Sequence, residues 1–310
     1  MDLSVKLGKL KLKNPVTVAS GTFGYAEEFK DLVKLSDLGA IITKTITKEP
    51  RLGNAMPRLA ETSSGMLNAI GLQNEGLDNF LKVKLPKLKK IGTKIIVSVS
   101  ANSSDEFIYC VNKLEDAGVE AIELNLSCPN IKYAKLNKTD KTKARIFAQV
   151  AGDTYTLVNT VAKKTNTVLI AKLSPNVTDI TEIAIAAESA GADVLSLVNT
   201  FSAMAIDINT CRPCLANVSG GLSGPAIKPI AVKMTYDVAT AVNIPIIGMG
   251  GIMNADDAIE FMIAGATAIS VGTANFVNPG VSMQVIEGIR NYCKKKKIKK
   301  INTLIGLFKV

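Results

Sequence analysis

One cysteine, Cys128, stands in the run Leu126-Ser127-Cys128-Pro129-Asn130, where an apolar stretch gives way to polar residues and a proline forces the chain out of regular structure. A cysteine is more often a small buried apolar residue than a reagent. Two lysines weaken that reading, because Lys44 and Lys172 each lie in an apolar run and cations brought near a thiol favour the thiolate. Such lysines serve as ion-pair partners of a strand carboxylate such as Glu123, as charges that stabilise an anion beside a cofactor, or as Schiff-base amines. Asn68, Asn125 and Asn199 could together hold a planar ligand rich in amide groups, although each alone is ordinary turn chemistry. Gly250-Gly251 and Gly272-Thr273 would let backbone N–H groups come close to a phosphate.

The chain has no histidine, so no Ser-His-Asp or Cys-His nucleophile system exists within it. A general base must then be Cys, Lys, Tyr, Asp or Glu, with a local reason to be deprotonated. The five cysteines, at 110, 128, 211, 214 and 293, form an odd, scattered set, which argues for a reducing compartment and against a disulfide framework. Cys211 and Cys214 make a lone C-x-x-C pair, too little for a tetrahedral zinc site. Of the net charge of +10, six lysines fall in the segment 294–300, and about +4 remains without them. With only Tyr292 nearby to stack on a base, that segment reads as a solvated tail, and no nucleic-acid partner is expected. No apolar run is long enough for a membrane span and no basic-then-apolar leader opens the chain, so a cytoplasmic protein is expected.

These side chains need a scaffold that collects them. Short apolar runs recur at 16–19, 40–44, 94–98, 121–126, 168–173, 193–198, 244–249 and 267–271. Most are continuously apolar, as parallel strands covered on both faces are. Between them lie helix signals: Ser104-Asp105-Glu106 opens one helix and Asp179 another, and Ala117-Gly118, Ala190-Gly191 and Ala264-Gly265 close three. Eight such units predict an α/β fold, a (β/α)8 TIM barrel over residues 1–310, with an open doubly wound sheet as the alternative. Leu3, Val5 and Leu7 followed by Leu10 and Leu12 around Gly8-Lys9 predict an N-terminal β-hairpin that plugs the barrel bottom. The connections after strands 2, 4 and 6 are long and polar, which marks one rim as elaborated for a site.

In a barrel the C-terminal strand ends converge on one mouth. The residues gathered there would be Ser20-Gly21, Lys44-Thr45, Ser98, Asn125 with Ser127-Cys128, Lys172, Asn199-Thr200, Gly250-Gly251 and Gly272-Thr273.

At these residues the sequence resembles the class 1 dihydroorotate dehydrogenases, most closely the catalytic subunit of branch 1B. The resemblance runs through 14–24, 65–74, 121–130, 172–178, 220–229, 244–251 and 271–279, and the runs Asn68 to Asn74 and Ser127-Cys128-Pro129-Asn130 are the most diagnostic. It implies FMN as cofactor and oxidation of (S)-dihydroorotate to orotate in pyrimidine (UMP) synthesis, with Cys128 taking the proton from C5 while a hydride leaves C6 for the flavin. It also implies that Gly224, Gly250, Gly251, Gly272 and Thr273 surround the FMN phosphate and ribityl chain. Ser20, Lys44, Thr45, Ser98, Asn125, Lys172 and Val198 would lie along the ring and chain. Substrate would meet Lys44, Asn68, Ala69, Ile70, Gly71, Leu72, Asn125, Asn199 and Thr200. Ser98 stands where the family usually has an Asn, and 131–143 lacks the family's glycines.

The resemblance further implies a homodimer at the core of a heterotetramer, whose second subunit carries FAD and an iron–sulfur cluster and reduces NAD. This chain has no cysteine run able to hold a cluster. Two other functions fit the residues alone: a Schiff-base aldolase barrel using Lys44 or Lys172, and a non-catalytic barrel binding nucleic acid through its lysines.

Overall fold

The computed structural model describes residues 1–126 and 147–309. Cys128 and the segment 131–143 lie outside the described residues. All eight expected strands are present, at Val16–Val18, Ala40–Ile42, Lys94–Val99, Ala121–Asn125, Val168–Lys172, Val194–Leu197, Ile246–Met249 and Ala268–Val271. They pair in parallel in chain order and close when the eighth meets the first, through Ile269↔Val16 and Val271↔Val18. The open-sheet alternative is therefore excluded.

The strands' apolar runs are buried because helices cover the outside while side chains fill the inside. Residues level with one another on neighbouring strands share a face. The pairs Ser98↔Glu123, Asn125↔Lys172 and Lys172↔Ser196 thus place four polar or charged residues, with Asn125, inside the barrel toward its C-terminal end. The two helix starts lie where predicted, except that the cap of the first falls on Ser103, one residue before the expected Ser104. Ser103 accepts the Glu106 amide at the start of Ser104–Asp116, and Asp179 accepts the Thr181 amide at the start of Ile180–Ser189.

The hairpin pairs Val5–Leu7 with Leu10–Leu12, and its turn at Gly8 rests on Asp193, just before the sixth strand. It therefore closes the N-terminal end of the barrel. Val5, Leu7, Leu10 and Leu12 are buried there, each worth about 1.5–3 kcal/mol of apolar burial. The lysine-rich segment is an ordered part of this end, which corrects its reading as a tail. Lys294 and Lys295 finish the helix Val281–Lys295, and Asp2 exchanges backbone hydrogen bonds with Lys299 and Ile301. Buried Cys293 and Ile301 hold the segment down while the lysines face solvent.

At the opposite end, the connections after the second and sixth strands build a four-stranded antiparallel sheet. Its order is Phe201–Ala203, Gly220–Ser223, Gly65–Asn68, Leu59–Thr62. Leu67, Ala69 and Leu215 form a small second core on one of its faces. Among the described residues no helix is long and apolar enough to cross a membrane.

Candidate active site

A cavity of about 650 Å³ opens at the C-terminal end of the barrel, in the size range of small-molecule sites. Its wall brings together Ser20, Lys44, Thr45, Asn68, Ile70, Gly71, Leu72, Asn125, Lys172, Val198, Asn199, Thr200, Gly224, Gly250, Gly251, Gly272 and Thr273. The three asparagines expected to converge do so.

Among the described residues, two expected ones are absent from that wall. Ser98 is fully buried, because the third strand continues to Val99 and its hydroxyl lies one layer below the mouth. Ala69 belongs to the other face of the added sheet. Alternation along Gly65–Asn68 turns Met66 and Asn68 to the cavity, while Leu67 and then Ala69 go to the second core. The Ala69 backbone is also engaged, its amide by Arg58 and its carbonyl by Asn54.

The cavity floor is a continuous polar chain. Asn125 Nδ2 donates to Thr45 Oγ1 at 3.1 Å, Thr45 Oγ1 and Ser98 Oγ lie 2.9 Å apart, and Ser98 donates to Glu123 Oε1 at 2.9 Å. Ser196 donates to the other Glu123 oxygen at 3.1 Å. The Lys172 ammonium is 3.9 Å from Glu123 and donates to Ser20 Oγ at 3.1 Å. The ion-pair reading of Lys172 is therefore present, and it coexists with exposure of the residue to the cavity. A buried pair of this kind is costly to break from one side, about 3–5 kcal/mol.

Lys44 differs. It is half-buried with no carboxylate in contact among the described residues, and burial, followed by repulsion from the Arg58 guanidinium, holds its amine below the usual lysine range. Arg58 itself went unnoticed in the sequence. It precedes a four-residue strand in the long connection after the second strand, and nothing in its local run points inward. It donates to Gln73 and to the Asn54 carbonyl, and with Glu28 it adds charge to the wall.

On the far side the wall is mostly backbone. Gly224, Gly250 and Gly251 have φ of +99°, +129° and +74°. Thr273 Oγ1 donates to Ser223 Oγ at 2.7 Å, tying the turn after the eighth strand to the added sheet. The helix after the seventh strand starts only at Ala255, with Asn254 capping it. Gly272-Thr273 runs instead into the four-residue helix Ala274–Val277. Ser270 Oγ, inside the barrel on the eighth strand, reaches the cavity wall and is the one buried side-chain polar atom among the described residues without a hydrogen-bond partner.

The profile of the family described as dihydroorotate dehydrogenase matches residues 2–292. The chain belongs to that family. The family is one of oxidoreductases, which sets aside the aldolase and non-catalytic readings. Three similar proteins are each described as the catalytic subunit of dihydroorotate dehydrogenase B (NAD(+)). That of Bacteroides thetaiotaomicron is 50% identical, covering 100% of this chain and 99% of the relative. That of Caldicellulosiruptor bescii is 49% identical over 99% of both. That of Lachnoclostridium phytofermentans is 50% identical over 100% of both. This dihydroorotate dehydrogenase chain thus falls in the branch that its sequence resembles.

Proposed function

We propose that this chain binds FMN and oxidises (S)-dihydroorotate to orotate in pyrimidine synthesis, as one FMN-binding domain over residues 1–310. The observation that carries this reading is the cavity itself. One wall offers glycine backbone suited to a phosphate, and the other offers lysines and amides suited to a ring system and a carboxylate. The residues present fit FMN on a further count, since the orphan Ser270 hydroxyl faces the same space and a polar ligand would satisfy it.

In this reading Gly224, Gly250, Gly251, Gly272 and Thr273 hold the phosphate and ribityl end, and Ser20, Thr45, Asn125, Lys172 and Val198 the ring end. FMN supplies the acceptor for the hydride leaving C6. Lys172 and Lys44 supply positive charge where negative charge develops. Asn68, Asn125 and Asn199 orient the substrate's amide groups, and Ile70, Gly71, Leu72 and Thr200 enclose it. Cys128 removes the C5 proton; this assignment rests on the sequence, with no histidine to compete for the role. Ser98 acts from beneath the ring end rather than touching it.

The relatives' description as a catalytic subunit supports a partner subunit that carries electrons to NAD, and the family resemblance supports a homodimer within a heterotetramer. Free thiols at Cys110, Cys211, Cys214 and Cys293 agree with a cytoplasmic setting.

The test is direct. The purified chain is expected to be yellow with a flavin spectrum, and dihydroorotate is expected to bleach it without air while NAD stays unreduced by this chain alone. A colourless chain that takes up no FMN would overturn the proposal, and efficient NAD reduction by the chain alone would remove the partner.

Orotate affinity should also report on Lys44. Because its pKa lies below the ordinary 10.5, the ammonium that meets an anionic ligand is lost at a lower pH than in a free lysine. Affinity should fall by up to about tenfold per pH unit above that pKa, and the fall should begin at a lower pH than an ordinary lysine would give. Lys44→Arg should move the fall to higher pH, which an orotate titration followed by the flavin spectrum would measure.

A further inference from the structure

The polar chain under the cavity has a direction, and one residue sets it. An ionised carboxylate only accepts hydrogen bonds. Ser98 must therefore spend its single proton on Glu123 Oε1, 2.9 Å away. Its oxygen then accepts from Thr45, and the Thr45 oxygen accepts from Asn125 Nδ2. The Asn125 side-chain amide is thereby fixed with its nitrogen toward the floor. The same carboxylate is, among the described residues, the one that pairs with Lys172. It is wholly buried, and Lys172 is only 5% exposed.

Glu123 does not line the cavity, so it has no contact with a ligand there. We propose that Glu123 is a positioning residue: its buried carboxylate fixes the orientation of the Asn125 amide and holds the Lys172 ammonium at the flavin site. This rests on the FMN reading given above. A glutamine at 123 would offer a donor as well as an acceptor, so the chain could run in reverse, and Thr45 would then donate toward Asn125 and oppose the orientation its amide now has. It would also leave Lys172 as an unpaired buried cation, which gives up its proton more readily. Among the described residues, the groups facing Lys172 are Glu123 from the fourth strand, Ser20 from the first and Ser196, level with it, on the sixth. Among the described residues, the other charged side chains on the cavity are Glu28, Lys44 and Arg58, from connecting segments.

The test uses the flavin-loaded protein and reads the flavin rather than turnover. Parent, Glu123→Gln, Lys172→Met and the double variant are equilibrated with a reference redox dye from pH 6.5 to 9, and the ratio of reduced to oxidised flavin is taken from the spectra. In Glu123→Gln the ratio is expected at or above the parent's at pH 6.5 and at least tenfold below it by pH 9. Lys172→Met should abolish that pH-dependent difference. A merely structural Glu123 would lower FMN content or thermal stability without it, and a flavin-loaded variant whose ratio follows the parent's across the range overturns the proposal.

Ser98→Ala tests the other arm and serves alone if Glu123→Gln does not fold. It cuts the chain to Asn125 while leaving the ion pair in place. Orotate affinity of the flavin-loaded variant should drop about tenfold while its redox ratio keeps the parent's pH dependence, and undiminished affinity overturns the claim for Asn125. A parent chain that takes up no FMN overturns the functional reading and this inference with it, whereas loaded variants that match the parent overturn the inference alone.

Discussion

Cys128→Ala is expected to purify yellow, with FMN content equal to the parent's, and to reduce its flavin with dihydroorotate about 10²–10⁴-fold more slowly. The magnitude is that of removing a positioned general base. Its size here follows from the composition, since a chain without histidine has few groups to take over the proton. The chemistry of the base also predicts a graded effect. A thiol ionises far more easily than an alcohol, so Cys128→Ser should be slow near neutral pH and should recover as pH rises. Rapid anaerobic mixing with dihydroorotate measures the flavin step by itself. Near-parental rates in the alanine variant would remove Cys128 from this role. Binding should be little changed, because the substitution leaves Lys44, Asn68, Asn125 and Asn199 of the cavity wall in place.

The second large effect is expected at the opposite end of the cavity. Gly251 sits at φ +74°, and a Cβ there would come within 2.8 Å of the Gly224 carbonyl oxygen and 2.8 Å of Lys228 Cβ. Lys228 has little freedom to retreat, being held by Asp257 at 2.8 Å and Glu260 at 2.7 Å. Gly251→Ala should therefore displace the Gly224 turn and weaken FMN binding by about a hundredfold or more, with a stability cost of roughly 1–3 kcal/mol for the strained backbone. Gly272→Ala separates the two losses. The nearest atom to a Cβ at that position is 3.7 Å away, and its φ is ordinary. That variant should melt with the parent and still bind FMN more weakly, because its methyl group takes space on the cavity wall. Fluorescence titration of the apoprotein with FMN, beside a thermal melt, checks both. If FMN binding is unchanged in the two variants, the phosphate end has been misplaced.

Barrel strands were legible because burial on both faces leaves an unbroken apolar run, which no loop needs. Helix ends were legible through local chemistry, the serine and aspartate caps and the Ala-Gly stops. Depth along a strand was not legible. An apolar run that ends at Ser98 puts that serine at the mouth, whereas pairing with the fourth strand carries the third to Val99 and leaves the serine one layer down. Ala69 failed for the related reason of parity. Nothing in the run from Asn68 to Leu72 says which residues a neighbouring sheet will claim, and that sheet depends on pairing with residues 220–223, far along the chain. Arg58 is another product of this long-range pairing. Glu123 was visible as a carboxylate able to answer Lys172, but its wider reach through Ser98 and Thr45 needs three strands side by side.

The sheet over the mouth has a consequence for how such chains diversify. Gly65–Asn68 and Gly220–Ser223 lie about half the chain apart, yet Asn68 faces Gly221, Leu67 faces Leu222 and Met66 faces Ser223. A recombination event that exchanges one segment without the other leaves mismatched partners and opens the cavity wall. The two segments should therefore behave as one inherited block. Chimeras between relatives should be viable when both halves come from the same parent, and substitutions at one edge should be matched by covariation at the other.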